Sequence, residues 1–133
     1  MISDRELFDG FPPKSYRNRA LLDLAKGQKC VRCGMQHDET TVPAHYHGKW
    51  ADLLGRGGSQ KCDDLAVAHL CDDCHTAFDS QSLDAGNWNN EDEKALEFMI
   101  CVARTWRMLI AQGQLILAVN NKRKLREAYR ESR

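Results

Sequence analysis

The chain has 133 residues, 42% of them hydrophobic and 29% charged, and its 19 basic and 19 acidic side chains cancel to a formal net charge of zero. That length holds one core with terminal arms and excludes a second independent one. No apolar run approaches the roughly 18–20 residues that span a bilayer, and the start, MISDRELFDGFPPK, lacks the basic-then-apolar order of a secretory signal, so a cytoplasmic protein without a membrane partner is expected.

The first thirteen residues form an arm ending in Phe11-Pro12-Pro13, which stops one element and opens the next. From Lys14 to Lys26 the spacing of Tyr16, Ala20, Leu21, Leu24 and Ala25 predicts a basic helix, with Gly27 as its cap. Cys30 to Gly34 reads as a metal knuckle, because two cysteines three apart followed by Gly allow a tight turn that aims both sulfurs at one ion. Thr40 to His47 favours a strand, made an edge or bulged one by Pro43. Gly48 to Asp64 is a polar loop rich in glycine, Leu65 to Leu70 a second strand, and Cys71 to Ser80 a helix with Asp72 and Asp73 in its first turn. The longest helix runs from Asn90 or Glu91 to about Gln112, with Leu96, Met99, Ile100, Ala103, Trp106, Leu109 and Ile110 as its expected core stripe and Gly113 at its end. A short strand over Leu115 to Val119 and a basic helix or tail over 120–133 complete an α+β chain whose main domain spans 14–119.

Charge is segregated along this order. Six bases against one acid lie between Lys14 and Arg32, six bases against two acids between Asn120 and Arg133, and ten acids against one lysine between Cys62 and Glu97. Basic ends around an acidic middle suit a protein that grips phosphates at its edges and cations at its centre, although a solvated helix face and a tail would give the same pattern.

In a reducing compartment, two Cys-x-x-Cys pairs read as metal ligands. Cys30, Cys33, Cys71 and Cys74 would give one closed tetrahedral shell for a structural zinc, with no position left for water. A redox dithiol is the rival, disfavoured by two pairs and no βαβ pattern. Cys62 is expected to be a loop thiol and Cys101 a core thiol. His75 and Asp79, four apart on a helix, share a face and can hold a divalent ion that touches a phosphate oxygen, or serve only as a spare imidazole and a turn cap. His45 and His47 share a strand face by alternation, and a neutral imidazole there can take a proton from water near pH 7. A strand histidine is also often a satisfied core or surface residue.

Taken together, CVRCG, VPAHYH, the Gly-rich loop and DDLAVAHLCDDCH resemble the HNH, or ββα-metal, endonuclease finger in its zinc-supported form. The chain is most similar to the small phage and prophage nucleases of the YbcO type, over roughly residues 16 to 116 and including LDAG and the stretch from Leu96 to Thr105. More distantly it resembles the phage nuclease Ref. The resemblance implies metal-dependent DNA cleavage in phage recombination or DNA processing, with a recombination protein as a further partner in a bacterial host. It makes His45 the general base, Asp64 the residue that orients loop and base, His75 the principal ligand of a catalytic divalent metal such as Mg²⁺, and Asp79 its second ligand. Water activated by His45 would attack in line and leave 5′-phosphate and 3′-hydroxyl ends. Lys49, Arg56 and Lys61 would contact the DNA backbone with weak sequence preference. One position departs from the pattern. Many such fingers carry Asp or His just before the base, and here that residue is Ala44, which leaves a sparser ligand set or one helped by His47, Asp63 or Asp64. A zinc-stabilised DNA-binding module without chemistry, or a protein-interaction adaptor, are the competing expectations.

Overall fold

The structure, a computed structural model, describes residues 15–35, 40–55 and 61–117. The N-terminal arm, Arg56 and the basic C-terminal segment lie outside these ranges. Among the described residues the order is α1 (Arg19–Asp23), β1 (Val42–His45), a 3-10 turn (Ala51–Leu54), β2 (Val67–Leu70), α2 (Asp72–Asp79), a second 3-10 turn (Leu83–Gly86) and α3 (Glu91–Ala111). No helix among the described residues is long and apolar enough to cross a membrane.

β1 and β2 form an antiparallel pair in which Ala44 faces Ala68 and His45 faces Val67. By alternation Ala44, Ala68 and Leu70 share one face, and they enter the main core with Tyr46, Phe78, Trp88, Ala95, Phe98 and Cys101. Phe78 lies edge-on to Phe98 at 5.0 Å between ring centres and against Trp88 at 4.8 Å, so α2, α3 and the loop between them close on one aromatic ring. A two-stranded sheet has two open edges. Here the free edge of β2 is satisfied locally, since the His69 amide donates to Thr105 Oγ1 on α3 and the Val31 amide donates to the His69 carbonyl.

Four expectations change. The N-terminal helix is shorter than 14–26, because the Tyr16 and Asn18 amides donate to the Asp63 and Asp64 carboxylates and hold residues 15–18 extended. Asn18 then caps the helix through its side chain on the Leu21 amide. The second strand starts at Val67 rather than Leu65, since a turn closed by the Ala66 amide on the Asp63 carbonyl precedes it. Residues 115–117 form no strand; the Gln114 and Leu115 amides turn back onto the Leu109 carbonyl. The long helix has the expected bounds, but its stripe is borne out only in part: Leu109 is buried and Met99 packs against the core, whereas Leu96, Ile100 and Ile110 are exposed and Ala95, Phe98, Cys101 and Thr105 are buried instead. Small side chains at 95, 101 and 105 let α3 approach β2 closely, which larger ones would prevent.

Candidate metal centre and active site

The knuckle is built by a turn in which the Gly34 amide donates to the Cys30 carbonyl and the Cys30 amide to the Met35 carbonyl. Gly34 has φ of +75°, a conformation that L side chains rarely adopt, so the glycine sets the return of the chain. Cys71 is the N-cap of α2, and Cys74 follows one turn later on that helix. The four sulfurs of Cys30, Cys33, Cys71 and Cys74 lie within 4.8 Å of one another. A tetrahedral zinc with bonds of about 2.3 Å sets its sulfurs about 3.8 Å apart, and Cys33 and Cys71 are separated by 3.8 Å. The donor set therefore fits zinc.

The thiols themselves are poised unevenly. Burial raises Cys30, but backbone N–H groups of Cys33, Cys71 and Arg32 outweigh it and bring its pKa to about 7. Burial pushes Cys71 and Cys74 up, with Arg32 opposing it at Cys74. Three converging sulfurs beside one that already favours the thiolate are the arrangement a cation would stabilise. Arg32 also ties the cluster outward: it donates to Glu97 on α3 at 2.7 Å and to the Gly86 carbonyl, and lies over the Phe78 and Trp88 rings. Cys62, expected as a loop thiol, is fully buried and donates to the Tyr46 carbonyl. Cys101 is the core thiol expected, its pKa pushed up by burial to about 11.

His45 ends β1 with its Nε2 2.8 Å from Asp64 Oδ1. Burial opposes the charge on Asp64, but the hydrogen bonds from His45, the Asn18 amide and Arg17 hold its carboxyl below the usual carboxylate range. An ionised carboxylate requires a proton on the nitrogen that meets it, so Nε2–H donates to Asp64 and Nδ1 is the basic nitrogen of the neutral ring. Arg17 completes the arrangement by bridging Asp64 and the Cys62 and Lys61 carbonyls.

A cleft of about 650 Å³ opens beside this pair, lined by His45 and His47 from the first strand and its exit, Lys49 from the loop, Asp79 from α2, and Glu91 and Lys94 from α3. Gly48 passes directly over Tyr46: a Cβ there would stand 2.0 Å from the phenol oxygen, so any side chain would push the loop off the cleft wall. Asp79 Oδ2 lies 3.1 Å from His75 Nε2. Hence the expected site residues divide. His45 and Asp79 reach one cleft, Asp64 stands behind His45, and His75 stands behind Asp79. Among the described residues, the four cysteines are the one group of three or more ligating side chains gathered around a point, so His75 and Asp79 form a pair rather than a complete metal shell. Lys49 lines the cleft and pairs with Asp92 at 2.9 Å; Lys61 is exposed beside the Arg17 contact. Arg17, Asn18 and Lys94 were not signalled by any motif, because each acts through a contact distant in sequence, Lys94 by donating to the Ser80 carbonyl.

The chain matches no family model, no curated protein and no solved structure. The reading of its site therefore rests on its own geometry and on the sequence pattern described above.

Proposed function

We propose that this chain is a metal-dependent DNA endonuclease or nickase of the HNH type, braced by a structural zinc on its four cysteines and serving phage or prophage DNA recombination or processing. The observation that carries this reading is the His45–Asp64 pair at the wall of the cleft: an imidazole held by an ionised carboxylate on one nitrogen is a base on the other. In the reaction, His45 Nδ1 takes a proton from the attacking water. Asp64 fixes the ring and stabilises the imidazolium that results. Lys49 and Lys94, both on the cleft, attract and orient the phosphodiester. His75 and Asp79 would hold a divalent ion whose charge offsets that of the phosphate and the leaving oxygen; two protein ligands suffice for an ion such as Mg²⁺, which completes its shell with water and phosphate.

The test is cleavage of linear, branched and single-stranded DNA with Mg²⁺, Mn²⁺, Ni²⁺ or Zn²⁺ added. His45→Ala is expected to lose about 10²–10⁴-fold in rate while keeping zinc content and fold. Asp64→Asn is expected to lower kcat, because the ring loses the carboxylate that fixes it and the imidazolium loses its counter-charge. Undiminished cleavage by His45→Ala would remove the base from the mechanism.

A second reading has its own observation. Ala44 is buried in the core and so supplies no ligand where many HNH fingers carry one, which favours a zinc-braced DNA-binding module without chemistry. That module would bind DNA with strong salt dependence and leave it intact with all four metals.

A further inference from the structure

Helix α3 is apolar on two opposite faces. The buried face has Ala95, Phe98, Cys101, Thr105 and Leu109. Diametrically across the helix, Leu96, Ile100, Ala103 and Ile110 recur at intervals of four, three and seven residues and form a second stripe. Leu96 is 62% exposed, and Ile100 and Ile110 are each 42% exposed. Isolated exposed apolar residues are ordinary, but apolar residues recurring along one exposed helix face mark a surface that another element or molecule covers. The stripe is continuous with a shallow groove of about 210 Å³ between α3 and the 3-10 turn over Ala51–Leu54, walled by Trp50, Leu54, Leu96 and Met99.

We infer that this face is a two-fold interface with a second copy of the chain, in which the two α3 helices pack antiparallel. The charge pattern selects the occupant. The first turn of α3 carries Glu91, Asp92 and Glu93, whereas its second half carries Arg104 and Arg107. An antiparallel pair sets the acidic end of each helix beside the basic half of the other, and with Ile100 near the axis Glu93 meets Arg107 of the second copy twice by symmetry. A parallel pair would set acid on acid. This is the self-complementarity that a closed two-fold dimer needs. Helices of 21 residues run about 32 Å, and a lone helix pair falls at the small end of specific interfaces, below about 1,200 Å². The flanking groove extends the contact, and the small interface makes a weak, reversible dimer the expectation.

Sedimentation of the zinc-loaded full chain across the micromolar range tests this, with circular dichroism and zinc content verifying the fold of each variant. The expected result is a reversible monomer–dimer equilibrium that Ile100→Glu weakens by roughly tenfold or more. Glu93→Arg and Arg107→Glu should each weaken it, and the double variant should restore it. A chain that stays monomeric throughout overturns the proposal, as does a dimer indifferent to Ile100→Glu. If Ile100→Glu lowers the melting temperature of a monomer, the face is covered by the chain's own remaining segments and the dimer is excluded.

Discussion

Asp64 gathers three donors at the site. It receives Nε2 of His45, the Asn18 amide and Arg17, and so connects the chain before the knuckle to the strand and loop after it. Its pH signature follows from the direction of its pKa. A carboxyl held below its unfolded value stabilises the folded state at every pH above that unfolded value, and the contribution is lost as pH falls through the folded one. The stability of the native chain should therefore drop on acidification below about pH 5, and Asp64→Asn should flatten that limb in denaturant titrations at matched zinc content. An unchanged limb would mean that other carboxylates dominate it. His45 and Asp64 could both be singled out from sequence because each sits at a fixed offset in a motif. Arg17 and Asn18 could not, since an extended segment borrowing carboxylates 46 and 47 residues away leaves no periodicity.

The elements were legible where local chemistry closes them. Asn90 caps α3 by accepting from the Glu93 amide at 2.8 Å, and the helix that begins there has the bounds its sequence implies. Asn90→Ala should cost about 1 kcal/mol, read as a lower melting temperature without loss of zinc. A neutral result would show that packing alone sets the start of α3. The face the helix buries was legible only in part. Leu96 and Ile100 are more hydrophobic than Ala95 and Cys101 and draw the expected stripe toward themselves, although Phe98 and Leu109 lie on the buried face. What decides is the room available: Thr105 must come close enough to accept the His69 amide while donating to the Cys101 carbonyl, and only small neighbours allow it. The pairing of β1 with β2 was legible in outline, but their length was not, because Asp63 and Asp64 are diverted to bind the chain before α1.

At the scale of the whole chain, the cysteine cluster draws the knuckle, β2 and α2 to one point, and Arg32 carries that point on to α3 through Glu97. Prolonged chelation should therefore unfold the protein, seen as loss of helical signal in step with zinc release, whereas under the proposed function brief chelation should stop cleavage alone. Cys30→Ser should lower both zinc content and melting temperature; full zinc and an unshifted melt would separate the cluster from stability.

Joining Cys33 to Cys71 through a metal makes the 37 residues between them a ring. His45 and Asp64 both lie inside that ring, 19 residues apart. The entropy of closing a loop rises only with the logarithm of its length, so a ring of this size can be closed at modest cost, and closing it limits how far apart His45 and Asp64 can move. A chain without a metal on these sulfurs would hold His45 and Asp64 together less tightly, and under the proposed function its cleavage would then depend on that metal as well.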